Sequence, residues 1–114
     1  MKHMVKLQCD DDERKMSQKI DNHEKTAREN PNDFTAKYNL ATAYYEYSRY
    51  SEAARAYGES LIIKPNDVDA LWFYGICLLE IGNKDAAVAA HNRLLPLDEM
   101  AANDLLECIN DGED

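Results

Sequence analysis

Pro31-Asn32-Asp33 opens a stretch that continues FTAKYNLATAYYEYSRYSEAARAYGESLIIK over residues 34–64, and Pro65-Asn66-Asp67 then opens a second one. The two openings lie 34 residues apart, and the same offset aligns the residues that follow. Ala36 meets Ala70, Tyr38 meets Trp72, Tyr44 meets Leu78 and Glu46 meets Glu80. Further on, Ser48 meets Gly82, Ala53 meets Ala87, Ala56 meets Ala90, Leu61 meets Leu95 and Ile63 meets Leu97. Size and polarity agree at most of these pairs, so the chain carries an internal repeat.

Each copy reads as two helices. The short side-chain oxygens of Asn32-Asp33 can accept from the first free backbone N–H groups and so begin a helix. Leu40, Ala41, Ala43 and Tyr44 then recur at helical spacing as far as Tyr47. Ser48-Arg49-Tyr50 turns the chain, Ser51 is the expected cap of the next helix, and Ala53, Ala54, Tyr57 and Leu61 form its apolar stripe before Pro65. The second copy runs from Val68 to Ile81, turns at Gly82-Asn83, is expected to cap on Asp85, and continues to about Leu95. Gly82 suits the stop because glycine takes the left-handed backbone conformation without steric cost. Small residues (Ala41, Gly75, Ala53, Ala87) fall where paired helices must approach. Tyr44, Leu78, Tyr57 and Leu40 are the bulky side chains expected to fill the space between hairpins.

The flanks read as caps. Met16, Ile20, His23 and Ala27 place one narrow apolar stripe on an otherwise polar helix over 12–30, suited to covering the open end of the first hairpin. Pro96 ends the second copy and Asp98 can cap a last helix over 98–110. Met100, Ala101, Leu105, Leu106 and Ile109 are its expected buried face. The organisation is therefore a flexible segment over 1–11 (His3-Met4 looks like a cloning junction), a capping helix over 12–30 and repeats over 34–67 and 68–97. A capping helix over 98–110 and an acidic tail over 111–114 complete it. Six helices are expected.

Composition narrows the function. The chain has 114 residues, 13 basic against 22 acidic, and a net charge of −9. Nucleic acids and anionic membrane surfaces are bound mainly through basic groups, so this balance disfavours both. No Lys or Arg follows Arg93, whereas seven acidic residues do, from Asp98 to Asp114. No apolar run reaches the roughly 18 residues that span a bilayer. Cys9, Cys77 and Cys108 are odd in number and far apart, which argues against a disulfide framework and for a reducing, cytoplasmic compartment.

Nothing in the sequence points to chemistry. There is no glycine-rich phosphate loop, and His3, His23 and His91 are too far apart in sequence to share a metal at motif spacing. His91 and Cys77 read as core fillers. Asp10-Asp11-Asp12-Glu13 lacks the glycine turn and distal glutamate of a calcium loop and reads as a solvated helix start. No enzymatic activity, cofactor or metal is expected.

With Leu40-Ala41-x-x-Tyr44, Ala53-x-x-x-Tyr57, Pro65, Tyr74-Gly75-x-x-Leu78 and Ala87-x-x-x-His91 at this period, residues 34–99 resemble the tetratricopeptide repeat family. The sequence departs from the family pattern at His91, where an aromatic is usual, and at Glu99, which replaces the closing proline. The resemblance implies an all-α, right-handed α-solenoid of helix-turn-helix repeats. It also implies a concave groove, lined by the first helix of each pair, that receives a partner's peptide or helix. On that reading the groove comprises Tyr38, Thr42, Tyr45, Glu46, Asp69, Trp72, Ile76, Leu79 and Glu80. Thr35, Asn103, Leu106 and Asn110 extend it.

Members that hold acidic chaperone tails use Lys, Arg and Asn side chains in this groove. The matching places here are Tyr38, Thr42, Phe73, Asn103 and Glu107, with no cation among them. The expected function is thus that of a non-catalytic adaptor or scaffold binding an apolar or amphipathic segment with basic flanks. The alternative is a structural module that self-assembles through its groove or its terminal helices. Some of the apolar groove residues can equally be core, or lie under a terminal helix.

Overall fold

The computed structural model describes residues 2–111, with the side chains of 15–111. Among them are six helices and no strand: α1 (Lys2–Glu29), α2 (Phe34–Glu46), α3 (Tyr50–Ile63), α4 (Val68–Glu80), α5 (Lys84–Leu94) and α6 (Glu99–Asp111). The molecule is a slab of 51 × 40 × 20 Å. Its short axis is about two helix diameters, as a double layer of helices requires. Within hairpins α2 packs on α3 and α4 on α5; between them α1 packs on α2, α3 on α4 and α5 on α6, while α4 also meets α6. This is an all-α solenoid of helical hairpins.

Local chemistry explains the helix ends. The Asp33 carboxylate accepts from Thr35 N at 2.9 Å and Ala36 N at 3.4 Å, and Asp67 accepts from Ala70 N at 2.9 Å. Asp98 caps α6 through Ala101 N at 3.1 Å. Both hairpin turns close the same way: Arg49 N donates to Tyr44 O at 2.9 Å and Ser48 N to Tyr45 O at 3.0 Å, matched by Asn83 N to Leu78 O at 2.8 Å and Gly82 N to Leu79 O at 3.0 Å. This paired bonding satisfies carbonyls that the helix itself leaves free, and it needs one left-handed residue. That residue is Gly82 (φ 84°) in one turn and Ser48 (φ 63°) in the other.

Several expectations are corrected. The first helix begins at Lys2, not near 12, so the segment over 1–11 is helical from Lys2 onward. No Gly or Pro precedes Pro31, and its residues carry only small helix penalties. The side chains of His3, Cys9 and the Asp10–Glu13 run lie outside the described residues, as do residues 112–114 of the acidic tail. Ser51 and Asp85 do not cap their helices: Arg49 precedes α3 with no side-chain cap, and Asn83 caps α5 by accepting from Ala86 N at 3.2 Å. Met100 is 80 % exposed and Leu106 37 %, so the buried face of α6 is Ala102, Leu105 and Ile109. Leu95 also lies out at the surface while Leu94 is fully buried, because α5 stops at Leu94 ahead of Pro96. His91 is half-buried rather than enclosed in the core.

Small side chains set the helix spacing. Ala41, Ala53 and Ala87 have no exposed surface. A Cβ added to Gly75 would stand 2.6 Å from Leu105 Cδ2 and 3.0 Å from its Cδ1. Leu105 is itself fully buried, so it has little room to retreat. Such overpacking costs about 1–3 kcal/mol, and the missing methyl is what lets α6 lie against α4. At the other end Ile20 and Ala27 bury the stripe of α1. Tyr44 Oη donates to Glu24 at 2.7 Å, and Lys19 Nζ meets Glu46 at 3.2 Å, so α1 is also held to α2 by polar contacts.

Candidate functional site

The face formed by α2 and α4 is organised around Phe73, which was not among the expected groove residues. Its ring lies parallel to Tyr57 at 5.6 Å and meets the edges of Trp72 at 5.2 Å, Tyr45 at 5.3 Å and Tyr38 at 6.5 Å. Tyr38 in turn stacks on Phe34 at 5.6 Å and meets Tyr57 edge-on at 5.6 Å, while Tyr45 meets Tyr50 at 5.8 Å. Offset-stacked and edge-on pairs at these separations are the favoured aromatic geometries. The cluster therefore joins α2, α3 and α4 and holds Tyr38, Tyr45 and Trp72 half-buried.

Burial raises the Tyr38 pKa, with Asp69 and Asp67 adding to the effect, and burial likewise raises that of Tyr45. Both phenols are neutral across the physiological range and present O–H groups beside apolar ring faces. Thr42 is committed inward. Its hydroxyl donates to Tyr38 O at 3.0 Å and lies 3.0 Å from the Tyr57 hydroxyl. Glu46 is exposed but ion-paired with Lys19 of α1, whereas Asp69 and Glu80 stand at the surface of α4. Thr35, Asn103, Asn110 and Leu106 are exposed.

Ile76 and Leu79 do not join the aromatic cluster. They line a separate cavity of about 390 Å³ between α4, the α4–α5 turn and α6. Cys108 and Ile109 line it from α6, and Glu80, Gly82 and Lys84 complete the lining. The Cys108 thiol is exposed, and its pKa is raised by partial burial and by the carboxylates of Asp111, Asp104 and Glu107. Lys84, Cys108 and Ile109 were not among the expected site residues. Their signal in the sequence is faint, because it depends on how closely α6 approaches α4.

Among the described residues no group of His, Cys, Asp and Glu side chains is placed to hold a metal ion, and no helix is long and apolar enough to cross a membrane. Cys77 is fully buried against the core, as expected of a small filler.

The tetratricopeptide repeat model matches residues 24–67 and 38–104, together most of the chain. The chain belongs to the tetratricopeptide repeat family. The first match begins inside α1, and α1 packs on α2 as α3 packs on α4, so the last turns of α1 occupy the place of a second repeat helix. No curated protein matches the sequence. Among solved structures, the first tetratricopeptide repeat of Spaghetti (RPAP3), bound to the HSP90 peptide SRMEEVD, is similar. It superposes with a TM-score of 0.75 at 19 % identity, over 88 % of this chain and 81 % of that one. At this identity the likeness speaks for the fold.

Proposed function

We propose that this tetratricopeptide repeat protein is a non-catalytic adaptor whose α2–α4–α6 face binds an apolar or amphipathic segment of a partner protein in the cytoplasm. The observation that carries this reading is the row of half-buried aromatic side chains, Tyr38, Tyr45 and Trp72, braced from below by Phe73. Rings held in place by their neighbours lose little freedom on contact, and Tyr and Trp dominate binding hot spots for that reason. A peptide is also what the structurally similar Spaghetti domain carries.

The chemistry of the ligand differs from that case. The HSP90 peptide ends in acidic residues, whereas the groove residues named above include no Lys or Arg and expose Asp69 and Glu80. Like charges facing across an interface oppose binding, so basic flanks suit this face better. Capture from a lysate, comparing the wild-type chain with Tyr38→Ala/Trp72→Ala, tests the reading, with circular dichroism to confirm that the variant folds. A partner retained by the wild type and lost by the variant supports it. A partner that stays with the variant moves the binding surface elsewhere. Recovery of the protein alone, with a mass that rises with concentration, favours self-assembly instead.

A further inference from the structure

We propose that the cavity between α4 and α6 is an anchor pocket for one apolar side chain of a partner segment whose neighbouring residues are Lys or Arg. The proposal rests on the groove reading above and assigns it a specific subsite. Its volume, about 390 Å³, is at the small end of the roughly 300–1,000 Å³ range of organic ligand pockets. That is room for a Leu, Met or Phe side chain rather than for a folded element. Ile76 and Leu79 from α4 and Ile109 from α6 supply apolar walls.

What surrounds those walls selects the neighbours. Glu80 is itself a lining residue, and the carboxylates of Asp104, Glu107 and Asp111 lie close enough to bear on Cys108, which forms part of the α6 wall. Lys84 is the one cation among the lining residues. With Glu80 in the lining and three carboxylates of α6 near Cys108, negative charge outweighs the single Lys84, which favours a cationic chain and opposes one that ends in carboxylates. The pocket also has a cause in the fold. Because Gly75 lacks a side chain, Leu105 seats against α4 and α6 lies close beside it. Ile109, one turn further along α6, is thereby brought opposite Ile76 and Leu79.

Cys108 provides the readout. Short random peptides displayed on phage are selected on the full chain, and the strongest binders are remade with a fluorescent label. The expected sequences share one Leu, Met or Phe with several Lys or Arg close by, and they bind more weakly as salt rises. Filling the recess with Cys108→Trp is expected to weaken them at least about tenfold. On the wild-type chain, bound peptide is expected to slow N-ethylmaleimide labelling of Cys108, read by mass spectrometry, with buried Cys77 as the unreactive internal control. The labelling readout needs no variant, so it holds even where Cys108→Trp fails to fold.

Binders with acidic flanks overturn the proposal. Peptides that ignore Cys108→Trp, leave Cys108 labelling unchanged and yet are lost with Tyr38→Ala/Trp72→Ala overturn the pocket while the groove reading survives. Failure to select any binder, or binders indifferent to both variants, overturns the two together.

Discussion

In the first repeat, position 57 is a tyrosine with no exposed surface, its ring parallel to Phe73 and its hydroxyl on Thr42. The equivalent position of the second repeat is His91, half-buried, with Nδ1 3.3 Å from the side-chain oxygen of its neighbour Asn92. The backbone plan is shared, but the surroundings are not. The second helix of the first repeat packs on α4, which presents Phe73. The second helix of the second repeat packs on α6, whose buried face is only Ala102, Leu105 and Ile109. An interior repeat is filled by a large ring because it has two hairpins to join. The last repeat needs to hold only a light capping helix, and its outer surface turns polar with Asn103, Asp104, Glu107 and Asn110.

The sharpest way to break this comparison is to truncate both positions. Tyr57→Ala removes a fully buried ring from an aromatic cluster and is expected to cost about 3–5 kcal/mol. His91→Ala, at a half-solvated site, is expected to stay within about 1 kcal/mol. Urea denaturation of the two variants decides the matter. Equal losses would mean that the second repeat is as closely packed as the first and that the distinction is wrong.

A second difference is visible only in alkali. Position 43 of the first repeat is alanine, whereas its counterpart is Cys77, whose thiol is pushed up to about 12 from 9 by burial, with Glu80 adding to the effect. The unfolded chain loses that proton near the ordinary value, while the folded chain holds it until about 12. Between those values the native state binds more protons, so stability is complete below the window and falls as pH rises through it. Cys77→Ala copies the first repeat and is expected to make the decline shallower by about 1.4 kcal/mol per pH unit. Identical slopes in wild type and variant, measured by urea denaturation across the window, would show that Cys77 ionises as freely in the fold as outside it.

The smallest expected effect lies in the turns. Ser48 holds a left-handed conformation that Gly82 adopts freely in the equivalent turn. A side chain in that region costs roughly 1–2 kcal/mol, less where it is small and polar. Ser48→Gly is expected to raise stability by about 0.5–1 kcal/mol. Gly82→Ser is expected to lower it by a similar amount, although nothing crowds the site. Thermal melts of both exchanges sharpen the comparison. A destabilised Ser48→Gly would show that the serine side chain contributes something to its turn that outweighs the backbone strain.

Much of the fold was legible in advance because its signals are local. Asp33, Asp67 and Asp98 cap the helices they precede through atoms only two or three residues away. The 34-residue offset likewise places Ala53 beside Ala87 in role without knowledge of any contact. The failures have an equally physical cause. Ser51 and Asp85 look like caps, but the turn bonding from Arg49 and Asn83 starts each helix earlier. Met100 and Leu106 are apolar and lie on a helix, yet the rotation of α6 against α4 and α5 leaves both exposed and turns Ala102 inward beside the expected Leu105 and Ile109. The face of α2 and α4 was expected from the resemblance to the repeat family, but the place of Phe73 at its centre was not. Nor did spacing reveal that Thr42 points into hydrogen bonds with the core, or that Glu46 is bound to Lys19.

The sequence by itself determined the repeat, the six helices and the excess of acidic over basic residues. These follow from periodicity, capping and charge, which act between neighbours along the chain. Only the tertiary structure decided that α1 reaches back to Lys2, that four aromatic side chains converge on Phe73, and that Ile76, Leu79, Cys108 and Ile109 enclose a recess. Those features join residues as much as 35 positions apart, as Tyr38 and Phe73 are, and close packing sets their distances through details as small as the missing methyl of Gly75.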